Sequence, residues 1–229
     1  MLFRDRAEAG RFLALKLAAH TGRQDTVILA LPRGGVPVAF EVAKGLNAPL
    51  DVFIVRKLGV PGQEELALGA TATGKVRVLN QDIITALGIS DEVIESVIAK
   101  EERELQRREQ LYRGNRPPCP TEGKTVILVD DGLATGSTMH AAVLALKLRR
   151  PARVIAAVPV AAVSTCEEFK DEVDEIVCAA TPKSFYAVGQ WYEDFSQTTD
   201  AEVQELLRRA SEPSCSKAEL KGSELNDQH

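Results

Sequence analysis

The stretch "VILVDDGLATGSTMHAAV", residues 126–143, passes from four apolar residues through two carboxylates into a loop of small and hydroxyl-bearing residues. Its β-branched start predicts a buried strand over 125–131, and the apolar spacing that follows predicts a helix from about Thr138 to Arg149. Ligands of an open parallel sheet bind beyond the carboxyl ends of the strands, and Asp130 and Asp131 fall at such an end. The first backbone N–H groups of the next helix have no intrahelical partner. Gly136 allows close approach to them, and Thr135, Ser137 and Thr138 add hydroxyls, which makes a phosphate cradle. Carboxylates repel phosphate, so the expected partners of the two acids are neutral sugar hydroxyls or a hydrated Mg2+ shared with the ligand. Acids and cradle together describe a ribose 5-phosphate site. The plainer alternative is a turn and a helix cap built from Asp131, Gly132 and Ser137.

Working outward, "TVILAL" (26–31) is a short β-branched run closed by Pro32 and two glycines, and the helix predicted after it carries Pro37 in its first turn. "LDVFIVRKLG" (50–59) reads as a second buried strand, completing a βαβ unit. Residues 60–70, with Pro and two glycines, are expected to form a mobile loop, and 70–80 a hairpin turning at Gly74 and Lys75. From Ser90 to Arg113 the apolar residues make one helical stripe within a charged, solvated helix. Strands over 152–161 and 173–180 continue the alternation, and an opening helix is expected from Asp5 to His20. The predicted fold class is therefore α/β, a doubly wound and mainly parallel sheet, as a single domain over 1–210. The polar segment 211–229 is read as a disordered tail.

A formal charge of -5 argues against nucleic acid as a partner. Cys119, Cys166, Cys178 and Cys215 form no CxxC pair, and only His20, His140 and His229 offer imidazoles, which speaks against structural zinc. The amphipathic N-terminus lacks the pattern of a secretory signal, and no run is long enough to span a bilayer. The expectation is a cytoplasmic protein without membrane partners and with reduced thiols.

The whole 126–138 region closely resembles the phosphoribosyl diphosphate (PRPP) signature of the type I phosphoribosyltransferases: an apolar run, two acids, then a Thr-Gly-Ser-Thr loop. The resemblance extends in order over most of 25–200, and it is similar above all to bacterial phosphoribosyltransferase-like proteins carrying "VDDGLATGSTM" and "AVGQWYEDF". It implies that "LPRGG" (31–35) is a diphosphate-binding loop, with Arg33, Gly34 and Gly35 at the ligand and a cis peptide between Pro32 and Arg33. It places Arg56 and Lys57 on the diphosphate as well, and a flexible flap over 60–70, where Glu64 and Glu65 read as solvent-exposed. "TPKSFYAVGQWYEDF" resembles the hood of the purine-salvage members, with Tyr186 stacking on the base and Glu193 at an acidic position; packing of a small subdomain is the competing use of these aromatics. Two departures stand out. Asp174 and Glu175 lie near the point where purine-salvage enzymes carry a base-reading Lys, and residues 80–117 insert a helical segment.

The resemblance implies Mg2+-dependent transfer of a 5-phosphoribosyl group from PRPP to a nucleobase or similar planar nitrogen acceptor, releasing diphosphate, within nucleotide metabolism. Asp130 and Asp131 would serve as catalytic groups and metal ligands, and Thr135, Gly136, Ser137 and Thr138 would hold the 5-phosphate. Gly132 stands where some relatives carry a base, which makes Asp131 the substitute to test. The alternative is a non-catalytic PRPP- or nucleotide-binding regulator. A homodimer is allowed for.

Overall fold

In the computed structural model, which describes residues 2–212, the β-branched runs become strands and the amphipathic stretches become helices. The chain begins α1 (Arg6–Lys16), a 3-10 turn (Ala18–His20), β1 (Thr26–Ala30), α2 (Gly35–Leu46), β2 (Leu50–Val52), β3 (Val55–Val60), β4 (Gln63–Ala72) and β5 (Val76–Leu79). It continues α3 (Gln81–Leu87), α4 (Asp91–Arg113), β6 (Thr125–Val129), α5 (Ser137–Lys147), β7 (Arg153–Val160), α6 (Val163–Phe169) and β8 (Glu175–Ala180). A second 3-10 turn (Val188–Trp191) and α7 (Asp200–Ser211) end the described chain.

The main sheet has the order β2-β1-β6-β7-β8, with every neighbouring pair parallel. Alternation divides the central strands between two faces. Ile28, Ala30, Ile127, Val129, Ile155 and Ala157 pack with α1, α2 and α7, while Val27, Leu29, Val126, Leu128, Val154 and Ala156 pack with α5 and α6. From β1 the chain crosses to β2 on one side, and β6 then pairs with the other side of β1, so the winding direction reverses between β1 and β6. The crevice at such a reversal is where open α/β sheets bind ligands. Ala30 lies opposite Val129 in the register, so the loops after β1 and β6 leave the sheet side by side at one height.

The strand expected over 50–59 is in fact two. β2 stays in the main sheet, and after Phe53 and Ile54 the chain enters a separate antiparallel sheet of order β3-β4-β5. The mobile loop expected over 60–70 is largely β4. Pro61 and Gly62 make a tight turn, Gly62 at φ 80°, with Val60 paired to Gln63. Leu58, Val60 and Leu68 of this sheet bury against Ile94 and Ile98 of α4, so the inserted helix is the partner that orders the hairpin. Gly74 and Lys75 form the predicted turn, both at positive φ. The opening helix ends at Lys16, before the 3-10 turn; α3 falls within the helical segment expected over 80–117, and α7 goes beyond the elements read from the sequence.

Cys166 of α6 and Cys178 of β8 lie side by side, with their Cα atoms 7.1 Å apart. The fold brings them together across a separation of 12 residues with no CxxC spacing to announce it. Cys119 is free. The disordered tail expected over 211–229 lies, from residue 213 onward, outside the described residues. Among the described residues no helix is long and apolar enough to cross a membrane.

Candidate active site

Asp130 and Asp131 follow β6 directly, where the sheet ends and backbone pairing no longer fixes the chain. The Asp131 N–H donates to Asp130 Oδ1 at 2.9 Å. Burial and the neighbouring Asp131 charge push the Asp130 carboxyl well above its usual value, with opposition from the Asp131 N–H and Arg6. Burial also raises Asp131, while the Arg6 guanidinium pulls it the other way. No side-chain cation forms an ion pair with Asp130 among the described residues, so its charge calls for an external cation or for hydroxyl donors.

The loop after β1 presses against these acids. The Pro32–Arg33 peptide is cis, as the resemblance implied. A Cβ on Gly34 would overlap the Asp131 carboxylate, and one on Gly35 would lie 2.7 Å from Val129 O and 3.0 Å from Asp130 Cα. Both glycines are thus required by the close approach of the two loops. Arg33 is partly exposed, with Nη1 3.8 Å from Asp200 Oδ1 at the start of α7.

Beyond the acids, the Leu133 N–H donates to Val160 O and the Ala162 N–H to Leu133 O, which anchors the loop to the end of β7. Gly136 sits at φ 68° as the residue before α5, and a Cβ there would come within 2.6 Å of Phe169. The Thr165 hydroxyl of α6 donates to Ala134 O at 2.7 Å. Held in this way, the loop presents Thr135, Ser137 and Thr138, all exposed, at the N-terminus of α5. Lys57 Nζ reaches Ser137 Oγ at 3.3 Å. A cleft of about 660 Å³ begins beside Lys57, Thr135 and Ser137 and runs past His140 and Leu144.

Alternation along β3 separates the two cations expected together. Lys57 faces the hydroxyl loop, whereas Arg56 points to α4 and pairs with Glu101 at 2.6 Å. In the hood, Tyr186 is 83 % exposed and Glu193 is exposed, its backbone N–H donating to Phe3 O. Tyr192 is the buried hood aromatic, and its hydroxyl donates to Asp131 O at 2.6 Å. Sequence reading noted Tyr192 only as one aromatic among several and missed Arg6, whose Nε donates to Asp131 Oδ2 at 2.9 Å. Arg6 lies in the first turn of α1, where its charge opposes the helix dipole and the Asp131 carboxylate offsets it.

Fold and site together define a doubly wound α/β protein with two glycine-dependent loops and an acid pair at the switch point. The phosphoribosyl transferase domain model matches residues 3–194, and the chain belongs to that family. It is 48% identical over 209 residues to proteins of two Mycobacterium tuberculosis strains named "Putative phosphoribosyl transferase". That match covers 91% of this chain and 47% of theirs, so the chain spans about half the length of these relatives. A Thermus thermophilus protein of known crystal structure, TT1426, is 42% identical with a TM-score of 0.81, over 91% of this chain and 99% of that one.

Proposed function

We propose that this protein transfers a 5-phosphoribosyl group from PRPP to a nitrogen of a nucleobase or similar planar acceptor, releasing diphosphate. The observation that carries this reading is the convergence of the acid pair, the loop 135–138 and the loop 33–35 at the reversal between β1 and β6. Family membership supports it. The bond from C1 of the ribose to the diphosphate oxygen breaks, the diphosphate leaves with the electron pair, and the acceptor nitrogen forms the new bond to C1 and gives up its proton, for which Asp131 is the proposed acceptor.

Catalysis of this kind rests on positioning and electrostatic stabilisation. Asp130 and Asp131 accept hydrogen bonds from the 2- and 3-hydroxyls. Thr135, Gly136, Ser137 and Thr138 hold the 5-phosphate, with Lys57 adding a cation beside Ser137. Arg33, Gly34 and Gly35 face the diphosphate, while Arg56 reaches that group only by leaving Glu101. Asp130 has no cation partner among the described residues and stands next to Asp131, so the two carboxylates offer hard oxygen donors of the kind Mg2+ takes, and they would hold it. Bound there, Mg2+ supplies charge neutralisation for the departing diphosphate. Tyr186 and Glu193 remain the proposed base-facing residues of the hood.

The test is diphosphate release from PRPP in the presence of Mg2+ and a panel of purine and pyrimidine bases. Release that depends on one acceptor supports the transferase reading. PRPP binding without release from any acceptor contradicts it and leaves the regulator.

A further inference from the structure

Arg6 joins three parts of the molecule. Its Nε donates to Asp131 Oδ2 at 2.9 Å and its Nη1 to Ser196 O at 2.7 Å. The guanidinium lies 4.0 Å from the Phe195 ring centroid and 5.9 Å from that of Tyr192. Only 11% of the side chain is exposed. The backbone beside it is stitched to the hood: Phe3 N–H to Trp191 O at 2.9 Å, Glu193 N–H to Phe3 O at 2.8 Å and Asp194 N–H to Arg4 O at 2.9 Å. Tyr192, between these hood residues, donates its hydroxyl to the Asp131 carbonyl. The two acids therefore differ, with Asp131 held by Arg6 and Asp130 left to the ligand.

We propose that Arg6 is a positioning residue that sets the Asp131 carboxylate for the ribose and ties the acid pair to the hood, so that filling the ribose site moves the hood. The inference rests on the ribose-phosphate reading above. A planar, rigid fork spans a carboxylate, a carbonyl and an aromatic face in one fixed geometry, whereas a lysine ammonium is a compact point charge on a flexible stem. Lysine at this position keeps the charge beside Asp131 and loses the link to Phe195 and Ser196.

Trp191 is the only tryptophan of the chain, and its indole N–H is buried without a hydrogen-bond partner, so its emission reports movement of the hood. The experiment titrates PRPP with Mg2+ into the wild type, Arg6→Ala, Arg6→Lys and, as a control, Arg4→Ala, followed by calorimetry and by Trp191 emission. Arg4 is exposed and pairs with Asp5 only. Wild type and Arg4→Ala are expected to bind alike and to change emission. Arg6→Ala is expected to bind about tenfold more weakly or worse, as for loss of a charged hydrogen bond. Arg6→Lys regains part of the affinity without the emission change. Arg6→Ala that binds as tightly as wild type overturns the inference, as does wild-type binding with no change in emission. If Arg6→Ala fails to fold, Arg6→Lys decides, since a full emission response there contradicts the link. A wild type that does not bind PRPP overturns the proposed function itself, and this inference with it.

Discussion

Asp131 and Gly34 occupy space that only a glycine leaves open, since any Cβ at Gly34 would overlap the carboxylate. Gly34 has φ -58°, so its backbone accepts alanine without strain, and the effect of Gly34→Ala must pass through Asp131. The expected outcome is a loss of PRPP affinity of about tenfold or more with the fold retained, checked by calorimetry beside far-UV circular dichroism. Asp130 illustrates the opposite balance. Its folded pKa is raised by burial and by Asp131, so its contribution to stability is full below about pH 4, where the carboxyl is protonated in either state, and is lost as pH rises through the folded value. Metal-free Asp130→Asn should therefore melt higher than wild type at about pH 7, with the gap closing at about pH 3, while PRPP binding is lost. A lower melting temperature at neutral pH would contradict the buried-charge account. These two acids were legible in the sequence because their chemistry lies within one local motif. Arg6 was not, because its partners Asp131 and Ser196 are brought to it only by the fold.

The inserted helix α4 has two structural roles. Its first half covers the small sheet through Ile94 and Ile98, and its last residue, Arg113, pins the start of β2. Arg113 Nε lies 2.9 Å from Asp51 Oδ1, its Nη2 donates to Val52 O at 2.8 Å, and Asp51 also accepts from the Cys119 N–H. Removing one partner of such a buried pair leaves an uncompensated charge, so Arg113→Ala should cost about 3–5 kcal/mol, read from urea unfolding. A loss below about 1 kcal/mol, typical of an exposed pair, would show that the bond is not buried in solution. Among the elements, α4 was legible to within a residue because Ser90 and a long apolar stripe announce it. The segment 60–70 was not: Pro61 and Gly62 signal a two-residue turn as readily as a loop, and the apolar face of β4 has its partner far away in α4. For α7 a local signal existed. Thr199 caps Glu202 N–H at 3.1 Å in a Thr-x-x-Glu sequence, and Val203 and Leu207 are the buried face.

For the molecule as a whole, the order β2-β1-β6-β7-β8 is what turns separate loops into one candidate site. Sequence reading supplied the alternation of strands and helices and so the parallel sheet, but strand order depends on long-range pairing that no local pattern encodes. The hood is also a product of the whole chain, since the N-terminal residues Phe3 and Arg4 complete it against Trp191 and Asp194. The central claim is that Asp130, Asp131 and the loop behind them bind a ribose 5-phosphate. The most direct measurement is calorimetric titration of PRPP with Mg2+ into wild type and into the Asp130→Asn, Asp131→Asn double variant. The account predicts saturable one-to-one binding by the wild type and none by the double variant. Equal binding by both, or binding by neither, would contradict it.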